Sequence, residues 1–378
     1  MSQSTIQQLA DFGQSIWLDY INRAMLENGQ LNERIKKGLR GMTSNPSIFN
    51  QVISSSSDYD ERIVQLKNTG KSTFEIYDEL TIKDIQDAAD CFYSVYQKTN
   101  QLDGYVSLEI NPQIAHKVDE QVKEGLRLFK KVERKNVMIK VPATQEGICV
   151  VEELIAHGVN VNVTLIFSLQ QYEQTVFAYF RGLEKLAKVT PDLSDVRSVA
   201  SVFVSRIDAV VDKLLDEKIS QITDQEKKTW LKSLKGKAAV ANCRIIFEKF
   251  KELFSSEEYK YLNKSRAQLQ RVLWGSTSTK NPEYSDIKYV TELIAQPSVN
   301  TVPENTLNAF LDHGVVKDAF VDKAENSFDI LKSLKENNID IDDVNKKLLK
   351  DGVKAFDDAF LDLTKAIDKK AAHLITLK

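Results

Sequence analysis

Val137–Pro142 reads VMIKVP, an apolar run with one lysine set into it, and continues as VMIKVPAT to Thr144. Ile139 and Val141 flank Lys140, so the segment has little of the in–out alternation of a half-exposed strand. Continuous runs rich in β-branched residues suit parallel strands buried on both faces. Seven further runs of this kind are bounded by turn signals: Ser15–Tyr20 (SIWLDY), Leu39–Thr43 (LRGMT), Tyr105–Ile110 (YVSLEI), Val161–Phe167 (VNVTLIF), Val199–Ser205 (VASVFVS), Arg271–Gly275 (RVLWG) and Ser298–Val302 (SVNTV). The segments between them have helical periodicity. In Pro112–Lys131, Ile114, Val118, Val122, Leu126 and Leu128 recur at roughly helical spacing, and Glu146–His157 does the same with Gly158 placed as a C-terminal cap. Eight strands alternating with helices predict an α/β protein, a (β/α)8 barrel.

The chain has 378 residues, more than the ~250 a plain barrel needs. The surplus is expected in helices after strand 2 (about 52–92), after strand 6 (about 216–261) and in a C-terminal tail (about 315–378) with helices over Asp318–Glu336 and Val344–Lys370. No low-complexity linker sets these apart, so one decorated domain is expected. With 14 Gly and 7 Pro, the composition disfavours collagen-like, linker-rich and many-stranded all-β folds. The net charge of −3 gives no overall field for nucleic acid or an acidic membrane. Cys91, Cys149 and Cys243 are odd in number and far apart, which suits a reducing cytoplasm better than a disulfide framework. Neither a signal peptide nor a transmembrane helix is expected. His116, His157, His313 and His373 lack zinc-ligand spacing, and no dinucleotide, P-loop or nucleophile-elbow motif occurs. Trp17, Trp230 and Trp274 are read as packing residues, Lys227–Lys237 as a solvated helix face and Cys149 as core.

Active sites of such barrels lie at the C-terminal strand ends. The polar residues there are Asp19, Thr43 with Asn45, Glu109, Lys140, Asn162 with Thr164, Ser201 with Arg206, and Ser276–Lys280. Lys140 is the sharpest of them. Burial disfavours an ammonium, and a neutral amine can attack a carbonyl to form a Schiff base. The alternative is a structural lysine paired with Asp19 or Glu109. Those carboxylates suit proton transfer and water activation, and the Thr164 hydroxyl suits positioning a water; each also suits an interior hydrogen bond. Asn45, before Pro46, reads first as a helix-entry residue. Arg206 and the loop GSTSTKNP form a plausible phosphate cradle or an ordinary turn.

Taken together, SIWLDYINR, GMTSNPSIFNQ, YVSLEINP, VMIKVPAT, VNVTLIFSLQQY, SVFVSRIDAVVD, LWGSTSTKNP and NTVPENTL resemble transaldolase, in its longer bacterial and plant-type branch. The resemblance covers about residues 12–313. It implies a Schiff base on Lys140, an acid/base role for Asp19, and a catalytic water held by Glu109 and Thr164. It also implies substrate contacts from Asn45, Asn162, Ser201, Phe203 and Arg206, with Phe203 keeping the pocket apolar. In the shorter branch an arginine follows the seventh strand; here Lys280 and Ser278 (or Thr277) stand nearest that place. The implied reaction moves dihydroxyacetone from sedoheptulose 7-phosphate to glyceraldehyde 3-phosphate, giving erythrose 4-phosphate and fructose 6-phosphate in the non-oxidative pentose phosphate pathway. No metal or cofactor is implied. Phosphorylated sugars are the expected partners, and the chain is expected to be a cytoplasmic monomer or homodimer. A fructose-6-phosphate-type aldolase and a non-catalytic sugar-phosphate-binding barrel are the competing readings.

Overall fold

A computed structural model describes residues 3–321 and 324–376. Eight parallel strands close into a barrel in chain order: β1 (Gln14–Asp19), β2 (Gly41–Thr43), β3 (Val106–Glu109), β4 (Val137–Pro142), β5 (Val161–Ile166), β6 (Ser198–Phe203), β7 (Arg271–Gly275) and β8 (Ser298–Val302). All eight predicted runs hold to within two residues at either end, and those of β4, β7 and β8 match at both ends. The runs are continuous because helices cover the outer face while side chains fill the interior.

Trp17, Met138, Val199, Leu273 and Val299 form one buried cluster with Tyr96 and Tyr105, separate from the large core between strands and helices. Gly41 makes room for it, since a Cβ there would lie 2.6 Å from the Trp17 ring. Beneath this cluster Asp103 takes hydrogen bonds from Ser15 Oγ (2.7 Å), Trp17 Nε1 (3.2 Å) and Arg271 Nη2 (2.8 Å). Arg271 Nη1 also donates to Ser15 Oγ, and both members of this ion pair are buried. They plug the N-terminal end of the barrel.

Helical boundaries depart from expectation where caps and turns intervene. The predicted helix over Pro112–Lys131 is a 3-10 turn, Pro112–Ile114, followed by a helix over Val118–Val132. Gln121 Nε2 donates to Ala115 O and ties the two pieces together. The stretch expected over 52–92 is three helices, Pro46–Ser55, Asp60–Asn68 and Thr73–Lys98. Gly70, at φ +83°, and the capping box of Ser72 with Glu75 separate the last two. Between β6 and β7 the helix Ala238–Leu253 is far from ornamental: Cys243, Ile246, Phe247 and Phe250 are buried along it. Of the solvated helix face expected over Lys227–Lys237, only the part to Lys232 is helical, within the helix Gln225–Lys232; it is largely solvated apart from buried Leu231, and a turn with Leu234 and Gly236 buried follows. Trp17 and Trp274 pack fully, but Trp230 is 42% exposed on that polar helix. Cys149 is likewise exposed and not in the core.

Beyond β8 come helices Glu304–His313, Glu325–Glu336 and Ile341–Thr376. The predicted helix over Asp318–Glu336 begins later than expected, and its residues 322–323 lie outside the described residues. The helix Ile341–Thr376 crosses the C-terminal mouth of the barrel, from the 3-10 turn after β3, past the end of β5, to the two helices after β2. Its far end is latched there, where Lys370 Nζ pairs with Asp60 Oδ1 at 2.6 Å and donates to Ile53 O at 2.9 Å. Phe360 meets Tyr77 edge-on with ring centroids 5.1 Å apart. Among the described residues no helix is long and apolar enough to cross a membrane.

Candidate active site

Strand register builds the centre of the site. Glu109 pairs in register with Lys140, and Lys140 with Asn162, so three neighbouring strands present these side chains at one level. Alternation from the interior residue Met138 turns Lys140 inward, and it is 5% exposed. Its Nζ donates to Ser44 O at 3.0 Å and lies 3.2 Å from Glu109 Oε2. That second contact is an ion pair without hydrogen-bond alignment, so Glu109 Oε2 has no hydrogen-bond partner among the described residues. The Thr164 hydroxyl is also buried and unpartnered. Buried polar atoms are rarely left so, and such atoms commonly mark a water or ligand position.

A kink in β5 presents Thr164. The register of β5 against β6 slips by one residue between Val163 and Ile166, and Leu165 sits at φ +59° in the left-handed region. A branched side chain there costs roughly 1–2 kcal/mol. Gln171, within the capping box of Ser168, holds the kink by donating to Ala143 O and Leu165 O.

Asp19, at the end of β1, accepts from Thr43 Oγ1 at 2.7 Å, and Thr43 in turn meets Thr301. Burial raises the Asp19 pKa above the usual carboxylate value, against the pull of Lys140, the Thr43 hydrogen bond and Arg206. Because Asp19 also borders the open cavity, water reaches it and tempers the rise. Burial raises Glu109 too, opposed by Lys140 and reinforced by the charge of Asp19. Both carboxylates are thereby made better proton acceptors.

The cavity that Asp19 borders has a volume of about 480 Å³. Asn45, Phe203, Arg206, Ser278 and Lys280 border it with Asp19. Arg206 lies over the Phe203 ring, 5.2 Å from its centroid, and has no ion-pair partner among the described residues. Burial lowers its pKa, and an anion in the cavity would relieve that cost. Thr277 is already committed to Thr301 O at 2.9 Å, so of the two hydroxyls Ser278 is the one without a hydrogen bond among the described residues. Asn45 does two things. Its Oδ1 caps the Pro46–Ser55 helix by accepting from Ile48 N, and its Nδ2 remains a donor beside the cavity.

The sequence of the Transaldolase/Fructose-6-phosphate aldolase family matches residues 16–367 of the chain. A transaldolase of Trichodesmium erythraeum is 42% identical over 99% of both chains. A transaldolase of Saccharopolyspora erythraea is 42% identical over 97% of both, and transaldolase 2 of a Nostoc strain is 40% identical over 99% of both. The chain belongs to this family.

Within this transaldolase-family barrel, the sequence-predicted residues fall into two groups. Lys140, Glu109, Asp19 and Thr164 converge at the C-terminal mouth, and Asn45, Phe203, Arg206, Ser278 and Lys280 border the cavity. Asn162, level with the lysine, is instead tied into a chain of hydrogen bonds: Ser201 Oγ donates to Asn162 Oδ1 at 2.6 Å, and Asn162 Nδ2 to Ser107 Oγ at 3.0 Å. Asn162 and Ser201 do not border the open cavity. Lys140 is paired, as the structural alternative required, but with its strand neighbour and not across the barrel.

Sequence reasoning missed Ser44, which acts through its backbone carbonyl, and Ser107, which supports Asn162. It also missed Phe356 of the C-terminal helix, whose ring centroid is 5.9 Å from Lys140 Nζ. The alternation of SLE in β3 marked Ser107; nothing local marked the other two.

Proposed function

We propose that the protein is a transaldolase, moving a dihydroxyacetone unit from sedoheptulose 7-phosphate to glyceraldehyde 3-phosphate with fructose 6-phosphate and erythrose 4-phosphate as products. The observation that carries this is the buried Lys140 amine, 3.2 Å from Glu109, with the pKa of both Glu109 and Asp19 raised and with Asp19 and Arg206 bordering one cavity. Lys140 Nζ attacks the ketose C2, and Glu109 handles the proton of the water expelled as the iminium forms. Asp19 takes the C4 hydroxyl proton while the C3–C4 bond breaks, and the electron pair passes through C3 into the iminium. The resulting enamine stays on Lys140 while the first aldose leaves. Its C3 then attacks the second aldehyde, Asp19 returns the proton, and water releases the product ketose. Arg206, Ser278 and Lys280 hold phosphate, Asn45 a sugar hydroxyl, and Phe203 the apolar wall. Asn162 and Ser201 act as supports of Lys140 more than as ligands. The chain works as one domain in the cytoplasm, as a monomer or homodimer.

Borohydride reduction in the presence of fructose 6-phosphate, followed by peptide mass mapping, tests this. The expected result is a dihydroxyacetone adduct on Lys140 that disappears when erythrose 4-phosphate is added before reduction. No adduct overturns the Schiff-base mechanism. An adduct that acceptor leaves in place, with free dihydroxyacetone accumulating, identifies an aldolase instead.

A further inference from the structure

The mouth of the barrel is covered on one side only. Arg206, Ser278, Lys280 and Asn45 border the open cavity, whereas Glu109 and Leu165 lie under the C-terminal helix. Phe356 of that helix borders both spaces and is 6% exposed. The covered space is small, about 10 Å³, the room of a single water. Glu109 and Gln121 border it, and Gln121 Oε1 is buried with no hydrogen-bond partner among the described residues. Val353, Phe356, Leu165 and Pro142 make its apolar side. Close fit holds the roof down: Gly352 passes over the β5 kink, where a Cβ would lie 3.0 Å from Leu165 Cδ2 and 3.7 Å from Arg206 Nη1.

We propose that Phe356 divides the site into a sugar chamber and a one-water pocket, and thereby decides whether the three-carbon intermediate is transferred or hydrolysed. The inference rests on the Schiff-base reading above. Dehydration at C2 produces a water, and the pocket beside Glu109 and Gln121 is where polar partners await it. Transfer requires that this water stay away from C3. In the competing branch the enamine takes a proton from water at C3, and the hydroxide left behind adds to C2 of the iminium. The C–N bond then breaks, dihydroxyacetone leaves and the Lys140 amine is restored, with a net consumption of one water. An aromatic ring between pocket and chamber blocks that approach while leaving the acceptor aldehyde its open entrance.

The test is the ratio of free dihydroxyacetone released to dihydroxyacetone transferred, measured with fructose 6-phosphate and limiting erythrose 4-phosphate. Both fluxes drain one intermediate, so the ratio is independent of how much enzyme is folded. Phe356→Ala is expected to raise it about tenfold, and Phe356→Leu, which leaves a smaller gap, about threefold. Gly352→Ala, which lifts the helix by a few tenths of an ångström, should raise it less. If the alanine variant does not fold, the leucine variant decides. An unsubstituted enzyme that gives no borohydride adduct on Lys140 overturns both the mechanism and this role. An adduct in every variant with an unchanged ratio overturns the role of Phe356 alone.

Discussion

Each end of the barrel buries a cation beside a carboxylate, and the two ends differ in what is left unsatisfied. At the N-terminal end Asp103 receives Ser15, Trp17 and Arg271, and Arg271 also reaches Leu102 O and Ser15. At the C-terminal end Lys140 and Glu109 touch without hydrogen-bond alignment, the Thr164 hydroxyl has no partner among the described residues, and both Asp19 and Glu109 are pushed toward protonation. A saturated pair fixes geometry; an unsaturated one keeps bonding capacity for a reacting molecule.

The comparison predicts opposite responses to substitution. Lys140→Met should lower turnover by at least ~10⁴-fold, as removal of a nucleophile does, with a smaller loss of stability because the Glu109 carboxyl left behind can take up a proton. A residual rate within tenfold of the parent would remove Lys140 from the chemistry. Asp103→Ala should do the reverse, leaving an uncompensated buried Arg271 and costing about 3–5 kcal/mol of unfolding free energy. Its turnover per folded molecule should match the parent. Thr164→Val deletes an unpartnered buried hydroxyl, so stability should stay level or rise by up to about 1 kcal/mol while turnover falls roughly 10- to 100-fold. Loss of stability in that variant would mean that the hydroxyl is engaged after all.

The smallest effect is in pH. Asp19 has a higher pKa folded than unfolded, so the native state holds more protons between the two values. Its contribution to stability therefore falls as pH rises from about 4 toward the folded pKa, and is flat above it. Asp19→Asn should abolish that slope in a series of urea midpoints. A parent and variant with parallel profiles would contradict the raised value.

What was legible in the sequence follows from where the information sits. The strands were legible because both faces are buried, which leaves long apolar runs. Lys140, Asp19, Glu109 and Thr164 stood out because polar residues in such runs need a reason. Asp103 gave no such signal. It sits in a loop, and Arg271, its partner, is 168 residues away. Phe356 was hidden for the opposite reason: an aromatic on the buried stripe of an amphipathic helix looks like any core residue. Ser44 contributes a main-chain carbonyl, which no side-chain pattern encodes. The tail was read as decoration because its packing partner lies some 300 residues earlier in the chain.

That last distance has a consequence in time. The helix Ile341–Thr376 follows every strand, so during synthesis all eight strands leave the ribosome before the Phe356 turn does. A chain at that stage would own the amine but not its cover. Its first turnovers would spill trioses into the surroundings until Lys370 found Asp60. On the role proposed for Phe356, a barrel that closed at that stage would gain reactivity first and fidelity only with the latch.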